Sequence, residues 1–592
     1  MPLKLWGKAA PDRGWRHGLL AVLGIFDVAA ASAQSPAIPG RDVLRGQTEA
    51  PAPRAERRVR VEGDIERSAC ALADPAYADI RITPERFSFN NLGPVDAAAL
   101  APLYARYLGR EQPVSVICEV RDAVATHLRA LGYVAAVQVP AQRIENGEVR
   151  LEVLYARVSD VRVLGDAGRN TRVFERYLRR LTQASVFNRF EAERWLLLAR
   201  DVPGHDVRLL LKPAGTGPGN MVAEVTLDRT PFTLELNLQN LAASQTGPWG
   251  RQLRAEFNGL TGMGDRTYFS YYSTFDFQEQ MIAQAGHEFL LGGDGLRLGA
   301  RYTHAWTRPD VVGLPPLFAE TGIAAVEARY PLTRRQGGSL WASGGMEFVE
   351  QRVRFNGLPL SRDRLRIGFA RLDAEAVDTK GVGPDGGTGW RLTAALELRQ
   401  GFDILGASPN CVAAPALCMA PGVLLPGLVD ADPSAFLVRG TARAELRLAR
   451  HLVVVVAPRG QYSSAPLATY EAFALGNFTL GRGFDPGALI GDKGVGVTSE
   501  IAFPGQLMSA RAQLQAEPYV FADAGWVWNR FLPGGGSQAL GSMGGGVRLL
   551  WRDRTRLDLM AAVPTRTVGL RAAGDVRFLM TLTTRLVPWN TK

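Results

Sequence analysis

The chain is 592 residues long, enough for several domains, with charged residues at only 21%, 64 glycines and a net charge of +10. Beyond residue 33 no run approaches 18 consecutive apolar residues, which excludes a transmembrane helix. Basic residues recur along the chain instead of gathering in one stripe, so nucleic acid is excluded as the expected partner.

The N-terminus reads as a secretory signal peptide over 1–33. Lys4, Lys8, Arg13 and Arg16 form a basic leader, Gly18 to Phe26 is apolar, and Ala31-Ser32-Ala33 offers small residues for cleavage. An exported chain is the expectation. Residues 34–77 are rich in Pro, Ala and Arg, with the mixed-charge run Glu56 to Glu62, the composition of a linker or a short helix with flexible flanks.

Two α/β units follow, over 78–156 and 157–229. In the first, Val120, Val124, Leu128 and Leu131 share a helical face and Gly132 supplies the stop. A strand over Val134–Val139 comes next, then the turn Asn146-Gly147, then alternation at Val149, Leu151 and Val153. The second unit opens with a strand over Val158–Val163. A helix follows around Val173–Leu181, and another capped by Asn188 ends near Arg200. Strands over Val207–Leu211 and Val222–Leu227 complete it. Both units read strand, helix, helix, strand, strand, a repetition of architecture more than of sequence.

From Thr230 the period changes to two. Leu253, Ala255 and Phe257 alternate with Arg254, Glu256 and Asn258; Leu392 to Leu398 alternate with Thr393 to Arg399; Ala442 to Leu448 alternate with Arg443, Glu445 and Arg447. Ionised side chains on one face and aliphatics on the other, in an exported chain without apolar helices, predict a transmembrane β-barrel over 230–592. At about 10 residues per crossing the segment accommodates sixteen antiparallel strands; the arithmetic alone also admits fourteen or eighteen.

Four cysteines suit an oxidising compartment and admit three pairings. Cys411 and Cys418 are positioned to close a small loop, leaving Cys70 with Cys118. No Cys-x-x-Cys, metal-ligand spacing, His-Glu-x-x-His or Gly-x-Ser-x-Gly is present, so no catalytic residue, metal site or cofactor is expected. The stretch Gly534 to Gly546 reads as a flexible turn between strands, since no Lys-Ser/Thr of a phosphate loop follows it.

Three stretches carry a family resemblance. Leu131-Gly-Tyr to Pro140-Ala-Gln142, followed by Gly147, resembles the end of a first POTRA domain, and Asp201-Val-Pro-Gly204 with Leu211 to Gly215 resembles a second. Leu475 to Phe484, with Gly481, Arg482 and Gly483, then Gly491, Asp492 and Glu500, resembles the sixth loop of the two-partner secretion transporters. Phe521-Ala-Asp523-Ala-Gly525 is similar to the inward strand motif whose aspartate pairs with that loop's arginine. The resemblance implies a signal peptide, two periplasmic POTRA domains and a sixteen-stranded outer-membrane barrel, with a loop over 464–493 folded inward and locked by Arg482, Gly483 and Phe484 against Asp523. Gly481 departs from the family's aliphatic residue. Pro36, Pro39, Pro51 and Pro53 argue against a stable plug helix in 34–77, and the end Pro588-Trp589-Asn-Thr-Lys592 departs from the usual terminal aromatic.

The resemblance further implies export of a partner exoprotein, haemolysin- or adhesin-like, from periplasm to the surface of a Gram-negative cell by type V secretion. The implied partners are that exoprotein, held by the POTRA domains, the lipid bilayer, and the barrel assembly machinery during biogenesis; a monomer is expected. An assembly factor that inserts other barrels, and a small-solute porin, are the other readings. Two POTRA units and the Pro140-to-Gln142 stretch favour export.

Overall fold

The computed structural model describes residues 38–48, 61–62, 69–310, 315–378, 389–509, 513–529, 536–552, 554–569 and 571–588. The expected signal peptide, Gly534 and Trp589 lie outside the described residues. Among the described residues no helix is long and apolar enough to cross a membrane.

The first described element is a helix, α1 (Arg41–Thr48), which stands inside the barrel and not beside the α/β units. A linker or a short helix is the expectation over 34–77, with the prolines arguing against a stable plug. They flank α1: Pro39 precedes the first turn, and the eight helical residues contain none.

The first α/β unit is a three-stranded sheet in the order Arg86–Asn90, Glu148–Tyr155, Ala135–Gln138. Helix α2 (Val116–Ala130) lays Val116, Val120, Val124 and Leu128 on it. Leu131 departs from that face: it follows the last helical turn and is exposed. Asn146 and Gly147 both take positive φ, 51° and 68°, the backbone of a tight turn, at the end of a longer connection. In the second unit Arg157–Gly165, Asn220–Arg229 and His205–Pro213 form the sheet, and Val61–Glu62 adds a short parallel strand on the edge of His205–Pro213. Helices α3 (Thr171–Gln183) and α4 (Arg189–Arg200) bury Phe174, Tyr177, Leu178 and Leu196 against it, and the Asn188 side chain caps α4 by accepting from Phe190 N at 2.8 Å.

The barrel is closed and antiparallel. Its first strands are β1 (Phe232–Gln239), β2 (Gly250–Asn258), β3 (Arg266–Thr274), β4 (Gln280–Leu291) and β5 (Leu296–Thr307). Then come β6 (Leu317–Arg335), β7 (Gly338–Phe355), β8 (Leu358–Val377), β9 (Gly389–Gly401), β10 (Phe436–Ala449) and β11 (Leu452–Ser463). β12 is one stave in two pieces, Lys493–Ala502 and Gln506–Ser509, both paired to β13 (Leu514–Trp528). β14 (Ser537–Trp551), β15 (Thr555–Pro564) and β16 (Arg577–Val587) complete the ring, and β16 pairs with β1. Counting β12 once, sixteen strands close the cylinder.

Gly544 to Gly546 belong to β14 and form no turn. Their lack of side chains makes room for neighbours: a Cβ on Gly544 would lie 2.7 Å from the Phe521 ring, and one on Gly546 2.8 Å from the Tyr519 hydroxyl.

The second α/β unit sits on the barrel's turns at one end. Asn170 Oδ1 accepts from Gly264 N at 3.0 Å, in the turn after β2. Buried Asp265 ties that turn together by accepting from Leu260 N and Thr261 N. Asp201 takes the Arg334 guanidinium in a two-pronged pair at 2.8 and 2.7 Å.

Cys70 is bridged to Cys118 and Cys411 to Cys418. The first bridge ties the segment before the first unit onto α2 and spans 48 residues. Replacing Cys70 and Cys118 by serine is expected to lower that unit's stability by about 2–4 kcal/mol and to leave barrel folding intact. Limited proteolysis of the unit, with heat-modifiable gel migration of the barrel as the control, checks both halves.

Candidate functional site: the inward loop and its seat

The connection between β11 and β12 spans residues 464–492 and folds into the lumen. Two short segments, Phe473–Leu475 and Leu489–Gly491, pair antiparallel and lead the chain to its tip. The tip needs glycine at two places. Gly481 has φ +106°, and a Cβ there would approach Leu540 to 2.6 Å, which accounts for the missing aliphatic residue. Gly483 lies flat on the wall, where a Cβ would meet Pro564 N at 2.9 Å.

Between them Arg482 points at β13. Its Nε and Nη2 donate to the two Asp523 oxygens at 3.2 and 3.0 Å, and its backbone N donates to the same carboxylate at 3.0 Å. Ser542 Oγ donates to Asp523 at 3.1 Å, so an aspartate side chain with no solvent exposure has four donors. The Arg482 guanidinium lies over the Phe521 ring, 3.5 Å from its centroid, and reaches Glu500 at 3.3 Å.

Alternation explains why one strand serves all of this. Phe521, Asp523 and Gly525 are two apart and face the lumen together. Phe521 is the platform under the guanidinium and Asp523 its counter-charge. Gly525 leaves space for Leu475 and Leu480, whose methyls would lie 2.9 and 3.0 Å from a Cβ there. Phe484 is fully buried with Leu475, Leu480, Val527 and Leu540. Glu500 links the loop to a wall network, since Arg548 donates to it at 2.6 and 2.8 Å and also reaches Glu517 and Asp558.

The remaining residues of interest serve their own neighbourhoods. Asp492 Oδ1 accepts from Leu467 N at 2.8 Å and so closes the base of the loop, while Gly491 packs on Val527. Gln142 exchanges two hydrogen bonds with the Arg150 backbone, at 2.8 and 2.7 Å, extending the first unit's sheet; Pro140 and Gly147 shape the same connection. The structure does not bring these three to the loop.

A second lumen contact set, which sequence reasoning missed, holds α1. Arg41 donates to Glu397 at 2.6 Å, Asp42 accepts from Arg459 at 2.6 Å and from Arg439 at 3.2 Å, and Arg45 reaches Glu347 at 3.3 Å. Behind them Arg399, 1% exposed, binds Glu347, Glu397 and the loop's Glu471 at 2.6 to 2.9 Å. Gly46 of α1 packs on Phe478 of the loop. The inward charges of β9, Glu397 and Arg399, stood out in the alternating pattern; nothing in it told which residues they meet.

Residues 322–549 match the haemolysin secretion/activation protein ShlB/FhaC/HecB family, and residues 82–155 match the ShlB-type POTRA domain. Fold and site thus define a POTRA-bearing β-barrel with an inward-locked loop. The chain is similar to the ShlB/FhaC/HecB haemolysin secretion/activation proteins over much of its barrel and to ShlB-type POTRA domains over its first α/β unit. The heme/hemopexin transporter protein HuxB of Haemophilus influenzae (strain 86-028NP) is 25% identical over 210 residues, which are 35% of this chain and 37% of that protein. The match therefore spans little more than a third of that relative. Among solved structures, CdiB from Escherichia coli has a TM-score of 0.67 at 16% identity, covering 88% of this chain and 94% of that one. CdiB from Acinetobacter baumannii has 0.58 at 16% identity, covering 89% and 94%. At such identity the likeness speaks for the fold alone.

Replacing Arg482 by alanine leaves the buried Asp523 charge without its partner, a loss of about 3–5 kcal/mol from the seated loop. Hydrogen exchange in the loop, residues 476–490, is expected to accelerate about 100-fold or more, with β4 to β7 unchanged. Equal exchange in variant and parent would show that the ion pair does not hold the loop.

Proposed function

We propose that the protein is an outer-membrane translocator that exports a partner exoprotein from periplasm to cell surface. The observation that carries this reading is the filled lumen: α1 and the inward loop both occupy it, each held by charge pairs to the wall. A porin for small solutes has no use for two such occupants or for two POTRA units at one mouth.

In this reading the POTRA units face the periplasm and capture the client's N-terminal secretion domain, offering sheet edges and apolar grooves to an extended segment. The periplasm supplies no nucleotide for the work. Folding of the client outside biases passage, because a folded product cannot slide back. Passage requires lumen space, so α1, the loop or both shift as the client enters. The loop is the gate, and Arg482 with Asp523 fixes its closed position.

Arg482→Ala is therefore expected to insert normally yet depress client export severalfold. Co-expression with a candidate client exoprotein that the parent protein exports, scored as client in the medium at equal surface abundance of the barrel, tests it. Parental export by the variant would refute the gate. Purified protein that speeds insertion of other barrels into proteoliposomes, without threading a client, would refute the translocator.

A further inference from the structure

The loop tip is tied to a second place on the wall, the line where the barrel closes. β16 meets β1 through six residue pairs, with a register break between Leu234 and Glu235, whereas β6 and β7 share eighteen. The seam has the shortest ladder of any neighbouring barrel staves among the described residues. Its end away from the α/β units is where the loop arrives.

There Arg577, the first residue of β16 and 7% exposed, gathers three partners from two other segments. It pairs with Asp485 of the loop at 3.0 Å, donates to the Phe484 carbonyl, and donates at 2.9 Å to the carbonyl of Ala242, just beyond β1. The loop also grips the β1 side directly. Ser244 Oγ donates to Asp485 at 3.1 Å, and Asn477 Nδ2 donates to the Leu241 carbonyl at 3.0 Å. A planar guanidinium with its donors divided in this way fixes the relative position of everything it touches. The Arg482 lock cannot do this, because Asp523 lies on β13, well inside the wall.

We infer that Asp485 and Arg577 form a latch through which the loop tip holds the barrel's closing seam. They are positioning residues: the loop cannot leave its seat without releasing the bridge across β1 and β16, and a loosened seam frees the loop. The inference rests on the reading of the loop as a gate, and it adds that gate movement and seam strength are one event.

Hydrogen exchange on the full-length protein in nanodiscs reads the latch without a client. In Asp485→Asn, amides of Leu236–Asn240 and Phe578–Thr583 are expected to exchange about tenfold faster, while β6 to β8 stay unchanged. Arg577→Lys should give the same pattern, and the double variant should fall short of the sum of the two, because the Asp485–Arg577 contact is weakened in both. Unchanged seam exchange in Asp485→Asn, strictly additive effects, or acceleration spread evenly around the barrel would each overturn the latch. Heat-modifiable migration verifies folding, and Asp485→Asn, nearly isosteric, decides alone if Arg577→Lys does not fold. Failed export by the parent protein, with the seam pattern as expected, would count against the translocator and leave the latch standing.

Discussion

A strand that crosses hydrocarbon has one side on which an ionised group is tolerated, and in a closed barrel that side is the lumen. Everything distinctive about this molecule follows from that constraint. Sixteen strands turn their charges inward onto a confined space, where like charges repel and isolated ones are costly. The wall answers by pairing across neighbouring strands, as Arg548 on β14 does with Glu500 on β12, Glu517 on β13 and Asp558 on β15. What enters such a lumen must complete the charge pattern. Helix α1 does so with Arg41, Asp42 and Arg45, and the loop does so with Glu471, Arg482 and Asp485.

Charge alone would seat the loop loosely. The intact Arg482–Asp523 pair exchanges hydration for contact at little net gain, so the binding energy comes from Leu475, Leu480 and Phe484 packed with Val527 and Leu540. The wall accepts them because Gly496 and Gly525 leave the space that side chains would fill. Apolar contact supplies strength and the ion pair supplies position. Strength and position being separate, the loop can be shifted within the lumen without destroying the barrel that carries it.

The barrel and the two α/β units were legible because burial on one face imposes a period, two for strands and 3.6 for helices, that survives in any single sequence. The lock was legible for a different reason: Arg482 between glycines and Phe521-Ala-Asp523-Ala-Gly525 resemble a known pairing, which no periodicity would have revealed. Helix α1 was legible only as one alternative to a linker, and its seat in the lumen was not legible at all. Its eight residues are mostly polar, and it is a helix because lumen charges far along the chain, from Glu347 to Arg459, pair with it. Gly544 to Gly546 failed in the opposite sense, since flexible composition suggested a turn where glycine instead made room for Phe521 and Tyr519. Arg577 looked like one more basic residue at a strand end. Only the closure of the ring brings Ala242 and Asp485 to it.

The two occupants of the lumen are not equally free to go. If α1 withdraws, Glu397 keeps Arg399 at 2.9 Å and Arg371 at 3.1 Å, and Glu347 keeps Arg399 at 2.6 Å. Arg439 retains the Glu471 carbonyl at 2.6 Å. The wall's carboxylates stay paired, while Arg439 and Arg459 lose Asp42 and pass, like Arg41, Asp42 and Arg45, to the water that enters behind the helix. If the loop tip withdraws, Glu500 keeps Arg548, but Asp523 retains only the Ser542 hydroxyl among its four donors. A carboxylate left that way in a closed pocket is costly until water reaches it. Departure of α1 therefore costs its packing and the Asp42 pairs to Arg439 and Arg459, while departure of the loop exposes an uncompensated acid on β13. The two occupants thus differ in what they leave behind: α1 leaves two arginines without a carboxylate, and the loop leaves a buried carboxylate without its arginine.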